Sequence, residues 1–203
     1  MRGLWSRPQA PVLESGGLRL RVPTNADYQA WRAVREQSRD HLKPFEPRWS
    51  PEDMTQRAFA ERIRRASQQI ADNAEFSFFL FDMSSGAERL LGGLTLSNIR
   101  YRAACHANLG YWMGIEAANR GYMTRAVALV LPFAFNTLKM QRLHAACLPH
   151  NDASSRVLEK NGFIREGFAE KYLQIDGQWR DHVLFGLTKD RFVTLSTERS
   201  QAL

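Results

Sequence analysis

The chain has few cysteines and no long apolar run. Only two of its 203 residues are cysteines, and Cys105 and Cys147 match no metal spacing and form no disulfide framework. No segment approaches the roughly 18–20 apolar residues of a membrane span, and the first residues contain no apolar core of signal-peptide length. These absences argue against a disulfide-rich secreted protein and an integral membrane protein. We expect a cytoplasmic protein with no metal and no membrane partner.

Nothing in the sequence divides it into several domains. It contains no internal repeat, low-complexity tract or long Pro/Gly/Ser linker. Its composition, 44% hydrophobic and 24% charged, is ordinary for a globular protein. We predict one domain over residues 17–190, preceded by a loosely ordered lead-in over residues 1–16 and followed by a C-terminal tail over residues 191–203.

Positive charge is in excess. Twenty-eight Lys and Arg residues against 21 Asp and Glu residues leave a formal net charge of +7. Such a surplus favours polyanionic partners, namely a phosphate-bearing cofactor, RNA or a ribosomal surface. Solubility alone explains it equally well.

Periodicity and helix-capping residues predict an alternation of helices and strands. A strand at Leu18–Val22 precedes a helix from Thr24 to about Ser38, and a second helix begins at Ser50 after an irregular double-proline segment. Pro132 is expected to kink a later buried helix. The remaining predicted elements are three strands (Phe76–Phe81, Leu90–Ser97, Ala107–Ile115), the buried helix (Gly121–Leu138), a strand (Arg142–Leu148), a short helix (Asn151–Asn161) and a hairpin (Phe163–Ile175, Trp179–Leu187).

Residues 111–124 contain a strand, a short loop with glycine and a helix start. A helix N-terminus has unpaired N–H groups and about half a positive charge, which suits a phosphate. Gly121 lets the backbone approach an anion closely, while Asn119 and Arg120 add a polar donor and a cation. The segment predicts a phosphate cradle. An ordinary helix start after a strand is the alternative.

A second segment, residues 150–163 with the sequence HNDASSRVLEKNGF, places Asn151 at a strand end and Ser154 three residues later. In this order the two segments resemble the GNAT superfamily of N-acetyltransferases. The stretches Lys171–His182 and His41–Pro47 resemble its ribosomal-protein-alanine N-acetyltransferase branch, which is RimJ/RimL-like. The resemblance covers residues 18–187, nearly the whole chain.

The resemblance implies a fold, a co-substrate and a reaction. The fold is α+β (α/β mixed), with a central, mostly antiparallel mixed sheet of about seven strands flanked by helices. The reaction is direct transfer of acetyl from acetyl-CoA to an amine, most specifically the N-terminal α-amine of Ala or Ser on a ribosomal protein. The cofactor-binding residues it implies are Trp112, Met113, Gly114, Asn119, Arg120, Gly121, Tyr122, Met123, Thr124 and Asn151.

The sequence departs from the family at several positions. The family loop pattern, Gln/Arg-x-x-Gly-x-Gly/Ala, is kept only at Gly121. The positions where relatives carry a catalytic tyrosine or glutamate hold Leu158 and Ala146. Those two catalytic roles therefore do not transfer to this chain.

Three side chains remain as catalytic candidates. Glu116 is a candidate base at the end of a strand, although it would also stabilise the helix dipole. Ser154 and Tyr172 are candidate donors to the departing thiolate, although the first also suits a helix start and the second a packing role. Backbone N–H groups from Trp112 to Gly114 are the expected donors to the oxyanion.

Glu46 and Trp49 lie in the double-proline segment. By resemblance such loops border the acceptor, and a carboxylate there would bind a substrate amine. A plain surface loop is the alternative. Three rival functions stay open: acetylation of a small amine such as an aminoglycoside or polyamine, acyl-CoA sensing without turnover, and RNA or ribosome binding.

Overall fold

The computed structural model describes residues 11–201, except for the side chains of residues 199 and 200. Their strands form one eight-stranded sheet. The strands lie in the order β1-β2-β3-β4-β5-β6-β8-β7, and every adjacent pair except β5 and β6 is antiparallel. The sheet is therefore mixed and mostly antiparallel, as predicted. Its strands are β1 (Val12–Ser15), β2 (Leu18–Arg21), β3 (Phe76–Asp82), β4 (Arg89–Arg100), β5 (His106–Met113), β6 (Arg142–Cys147), β7 (Ile164–Ile175) and β8 (Gln178–Thr188).

The eighth strand lies where the lead-in was expected. β1 pairs with β2 across a turn at Gly16 and Gly17, whose φ angles are 54° and 79°. Two consecutive residues with positive φ form the tight two-residue turn that joins the strands of a β-hairpin. The lead-in prediction for residues 1–16 is therefore wrong for Val12–Ser15, and residues 1–10 lie outside the described range. At the other end, residues 191–201 continue a helix from Lys189 instead of starting a separate tail.

Helices cover both faces of the sheet. The helix starts predicted at Thr24 and Ser50 are both present as capping boxes, with Asp27 and Asp53, at short 3₁₀ turns that precede α1 and α3. No helix within residues 11–201 is long and apolar enough to cross a membrane. The helices are α1 (Tyr28–Gln37), α2 (Arg39–Leu42), α3 (Gln56–Ala71), α4 (Tyr122–Pro132), α5 (Asp152–Lys160) and α6 (Lys189–Gln201).

The double-proline segment is more regular than predicted. Its first half forms α2 and a 3₁₀ turn at Lys43–Phe45, and the backbone becomes extended at Glu46. Pro44 is accommodated because the first positions of a helical turn need no backbone N–H donor. We call residues 43–50 the double-proline loop.

Alternation along β3 divides the apolar core into two clusters. Phe76, Phe78 and Leu80 face a larger cluster with α4 and α5, whereas Phe79 and Phe81 face a smaller one under α1 and α3. Successive side chains of a strand point to opposite faces. The sheet therefore separates an α4/α5 face from an α1/α3 face.

The buried helix ends as Pro132 dictates. α4 stops at Pro132, and a wide π-helical turn at Phe133–Thr137 continues the chain. Proline has no N–H to donate to the carbonyl four residues earlier, so the regular ladder ends there. The kink expected at Pro132 takes the form of this turn.

Asp27 is a buried carboxylate that joins β2 to the start of α1. Arg21 donates to it at 2.6 and 2.8 Å, and the Thr24 N–H donates at 2.6 Å. Burial alone would raise the pKa of Asp27, but these hydrogen bonds outweigh burial and hold the pKa below its ordinary value.

We expect Asp27→Asn to lower the free energy of unfolding at pH 7 by about 2 kcal/mol, the scale of hydrogen bonds to charged groups. Because the folded pKa is the lower one, this contribution is complete above the unfolded pKa, near 3.9, and is lost as pH falls through the folded value. Urea denaturation of both proteins over this pH range measures the effect.

The control is Glu36→Gln, which breaks the exposed pair with Arg32. It should cost less than about 0.5 kcal/mol. Equal losses from the two substitutions, or an Asp27→Asn effect that does not change with pH, would contradict the prediction.

Candidate active site

Strands β5 and β6 diverge and open a gap in the sheet. Their parallel pairing covers three positions, the last of which joins Asn108 to His144. β5 continues to Met113 and stays paired with β4 on its other edge, while β6 continues to Cys147 beside β8. Beyond Asn108, no strand within residues 11–201 pairs with the β6-facing edge of β5. We call this opening the wedge; its walls offer unpaired backbone to an extended ligand.

Only alternate N–H groups of β5 face the wedge. Gly114 donates to the Leu91 carbonyl of β4 at 2.8 Å. Trp112 has the same orientation, because the N–H groups of a strand alternate between its two edges. The N–H groups of Tyr111 and Met113 therefore point into the wedge. Of the three predicted oxyanion donors, Met113 has the required orientation, whereas Trp112 and Gly114 donate toward β4.

The loop between β5 and α4 presents a run of free backbone amides. From Asn119 to Thr124, six consecutive N–H groups donate no hydrogen bond within the described part of the chain. Asn119 and Gly121 have φ angles of 59° and 77°. Such a loop turns amides toward one point and forms an anion-binding concavity at a helix N-terminus. The geometry of the predicted cradle is thus present.

Gly121 serves the backbone conformation of the cradle. A Cβ at this position would meet no atom within 4 Å, so space is not the constraint. A positive φ is costly for most other residues, above all β-branched ones. The cradle is also anchored by its side chains: the Tyr122 hydroxyl donates to Asp82 at 3.2 Å, and Arg125 donates to the Gly16 carbonyl.

Ser154 lies in the first turn of α5, on the α4/α5 face. Its N–H donates to the Asn151 side chain at 3.0 Å, so Asn151 caps the helix as its sequence position indicates. Its hydroxyl shares a 2.8 Å hydrogen bond with the Tyr111 hydroxyl. Burial raises the pKa of Tyr111 far above its usual range. The phenol therefore stays protonated and is a neutral partner for Ser154.

Tyr111 was not among the predicted site residues. It alternates with Ala107 and Leu109, which are buried on the same face of β5. A tyrosine on an apolar face usually needs a hydrogen-bond partner for its hydroxyl. That signal was available in the sequence, although the identity of the partner was not.

The other two predicted catalytic side chains lie apart from Ser154. Glu116 is exposed beyond the end of β5 and accepts a 2.7 Å hydrogen bond from Gln37 of α1. Tyr172 lies in an irregular stretch of β7, with its ring 5.5 Å from that of His182. The three candidates do not form one cluster. The described residues also contain no group of three or more His, Cys, Asp or Glu side chains arranged to hold a metal.

Glu46 and Trp49 line a pocket between α1, α3 and the double-proline loop. Arg35 donates to the Glu46 carboxylate at 2.6 and 2.8 Å, and Trp49 Nε1 donates at 2.8 Å. The Arg35 guanidinium also lies 4.0 Å from the Trp49 ring centroid and 4.9 Å from that of Trp112. The charge of Glu46 is therefore already neutralised. Direct binding of a substrate amine by Glu46 would have to displace Arg35.

The double-proline loop is tied to the β7–β8 hairpin. The Asp176 N–H donates to the Glu46 carbonyl at 2.9 Å, and the Asp176 carboxylate lies 3.5 Å from Arg48. The ring of Phe45 lies 6.1 Å from that of His150, which precedes the Asn151 cap. The loop and the hairpin thus frame the α1/α3 side of the wedge.

The sequence and the fold both match known acetyltransferases. Residues 17–164 match the family model described as an acetyltransferase (GNAT) domain. Over 185 residues the chain is 34% identical to the ribosomal protein uS5-alanine N-acetyltransferase of Escherichia coli (strain K12), covering 90% of this chain and 94% of that protein.

Two solved structures show the same likeness. One is the ribosomal-protein-S5-alanine acetyltransferase of Vibrio fischeri, with a TM-score of 0.82, 29% identity, and coverage of 89% of this chain and 97% of that chain. The other is Mycobacterium smegmatis RimJ in complex with CoA-disulfide, with a TM-score of 0.80, 26% identity, and coverage of 92% and 94%. The likeness extends over nearly the whole chain.

Proposed function

Because the chain belongs to the acetyltransferase (GNAT) family, we propose that it acetylates the N-terminal α-amine of a ribosomal protein that begins with Ala or Ser. The protein is an acetyl-CoA-dependent N-acetyltransferase of the ribosomal-protein branch. The observation that carries the proposed acceptor is the 34% identity to a uS5-alanine acetylase along 90% of the chain.

The cradle and the wedge support the binding of acetyl-CoA. The six amides from Asn119 to Thr124 suit the pyrophosphate of coenzyme A, and the exposed side chain of Arg120 adds a cation beside them. The free edge of β5 suits the extended pantetheine arm, which carries amide groups. The coenzyme A held by the Mycobacterium smegmatis relative is in line with this proposal.

The chemistry calls for an oxyanion donor and a leaving thiol. The amine attacks the thioester carbonyl, whose oxygen becomes an oxyanion. We propose Met113 N–H as its donor, and one such donor is typically worth about 3–4 kcal/mol. A thiol with a pKa near 8.5, as in cysteine, leaves with modest help. Ser154 is our candidate donor to it, because it lies on the same face as the cradle.

An α-amine is the acceptor that needs least help. Its pKa near 7.7–8.0 means that deprotonation at pH 7 costs about 1 kcal/mol. A lysine side chain near 10.4 costs roughly 4.6 kcal/mol and calls for a strong, well-placed base. Glu116 is an unconvincing base, since its carboxylate bonds to Gln37.

The net positive charge does not by itself support an RNA contact, and the proposed reaction does not depend on one.

The cradle predicts the effect of a substitution at Gly121. Gly121→Val should weaken acetyl-CoA binding tenfold or more, about 1.4 kcal/mol, because valine resists the positive φ that aims the amides. Isothermal titration calorimetry measures the change. Gly86→Val is the matched control: Gly86 has a φ of 80° and the same open space at Cβ, but lies in the β3–β4 turn. Equal weakening by both, or no binding by the unmutated protein, would refute the cradle.

The position of Ser154 predicts a kinetic effect. Ser154→Ala should lower kcat about tenfold and leave acetyl-CoA affinity unchanged, because a group acting only in the transition state does not alter ground-state binding. Tyr172→Phe, which removes a hydroxyl on β7, should keep kcat. Release of free thiol measures turnover. The opposite pattern would assign the donor role to Tyr172, and full activity in both variants would exclude both residues as the acid.

The acceptor is tested by comparing different amines as substrates. A peptide with a free N-terminal alanine should have a higher kcat/KM than the same peptide blocked at its N-terminus and carrying an internal lysine. Mass spectrometry of the products, with a polyamine as a third substrate, measures the preference. Faster acetylation of the blocked peptide or of the polyamine would sink the α-amine proposal and favour a lysine or small-amine acceptor.

A further inference from the structure

His182 is a buried histidine on β8. The residue is 3% exposed, and its ring lies 5.5 Å from the Tyr172 ring. Its Nδ1 lies 3.0 Å from the Arg180 carbonyl oxygen. Because a carbonyl oxygen only accepts, Nδ1 carries the hydrogen, and the neutral ring keeps a lone pair on Nε2.

The Nε2 atom of His182 is available to a ligand. It has no hydrogen-bond partner within residues 11–201. Nε2 is nevertheless not fully enclosed. Within that range, Arg35 Nε is the one side-chain N or O atom that is both fully enclosed and without a hydrogen-bond partner. Nε2 therefore keeps some contact with solvent. Because the Nδ1–H bond fixes the ring and Nε2 still reaches solvent, this lone pair is free to accept a proton.

Strand register gives the height of His182 along the sheet, one strand beyond β6. β6 and β8 pair as far as Cys147 and Val183, so His182 is level with Leu148. The parallel register of β5 and β6, continued four residues beyond its last pair, makes Trp112 level with the same leucine. Trp112 and His182 thus lie at about the same height along the sheet as the free Met113 N–H, with the end of β6 between them.

The two side chains also share a face of the sheet. Trp112 packs against Phe79 in the cluster under α1 and α3. Residues that pair in register lie on the same face of a sheet, and Asn108, His144 and Gly186 pair in turn across β5, β6 and β8. The even-numbered residues of β8, His182 among them, therefore lie on the same face as Trp112. Ser154 lies on the opposite face. A thioester in the wedge would therefore have Ser154 on one side and His182 on the other.

We propose that His182 is the general base that deprotonates the acceptor amine, an inference that rests on the proposed N-acetyltransfer. Nε2 accepts one proton from the α-ammonium group. The neutral amine forms a C–N bond to the thioester carbonyl carbon, the amine nitrogen loses a further proton to solvent, and the C–S bond breaks. The thiolate takes a proton from Ser154, which recovers one from solvent, and the imidazolium returns its proton to water.

The ionisable groups on this side of the sheet come from four elements. Tyr172 approaches from β7, and Arg180 shares the face on β8 itself. The Asp181 carboxylate accepts a backbone N–H of β7 at 2.8 Å. On β6 the nearest ionisable side chain of this face is His144, four positions before the level of His182. The double-proline loop carries Lys43, which lies 3.8 Å from the Asp176 carboxylate of the β7–β8 turn. No carboxylate in the described range bonds to the ring, so its one fixed partner is the Arg180 carbonyl.

The test is His182→Asn, which keeps a donor for the Arg180 carbonyl and removes Nε2. At pH 7, kcat/KM for the alanine peptide should fall at least tenfold, since general bases typically contribute 10²–10⁴-fold. The loss should shrink to about threefold or less near pH 9.5, where an α-amine with a pKa near 8 is neutral without help. Calorimetric affinity for acetyl-CoA should not change, and added imidazole should restore part of the rate at pH 7.

His106→Asn, at a histidine where β5 begins and still pairs with β6, is the control and should keep full activity. His182→Gln serves as a second variant if the asparagine protein does not fold. A loss independent of pH, a weakened acetyl-CoA affinity, or full activity at pH 7 would overturn the proposal. If the unmutated protein instead prefers lysine peptides or polyamines, the proposed α-amine function is wrong. The role of His182 is then tested separately, by comparing kcat/KM of the unmutated and His182→Asn proteins on that acceptor over the same pH range.

Discussion

The separation of β5 from β6 is the constraint on which the rest of the site depends. Backbone groups inside a protein normally pair, because an unpaired one forfeits the hydrogen bonds it had in water. Beyond Asn108 the β6-facing edge of β5 has no strand partner in the described range, while β4 and β8 hold the outer edges of the two strands. Each wall of the wedge is therefore held by hydrogen bonds along its outer edge. The unpaired N–H groups at Tyr111 and Met113 are oriented before any ligand arrives, which is what transition-state stabilisation needs.

The sheet divides the chemistry between its two faces. The α4/α5 face carries the cradle and the Tyr111–Ser154 pair, which suit an anionic cofactor and a departing thiolate. The α1/α3 face carries Trp112 and His182, framed by the double-proline loop. Arg35 links these parts, since it stacks on two tryptophans and neutralises Glu46. This ion pair holds the double-proline loop, and amine binding by Glu46 stays a prediction that would require Arg35 to be displaced.

The cradle shows why a loop that departs from its family pattern keeps its geometry. Of the expected small residues only Gly121 remains, yet all six amides from Asn119 to Thr124 are free. Asn119 supplies the second positive φ, and asparagine is one of the few non-glycine residues that adopt it readily. Met123 is buried inside α4, where a glycine would not be needed to free an amide.

The sequence by itself determined the features that are local. The helix starts at Thr24 and Ser50, the Asn151 cap, the strand–loop–helix geometry of the cradle and the succession of strands from β2 onward along the chain follow from periodicity and from residues close together in the sequence. These patterns also carried the resemblance to the GNAT family. Tertiary structure alone decided which groups meet. The Tyr111 hydroxyl bonds to Ser154, 43 residues later, and Glu46 bonds to Arg35 on another element. Register likewise decided that Met113, and not Trp112 or Gly114, faces the wedge. Such pairings depend on the packing of distant segments, which a local pattern does not encode.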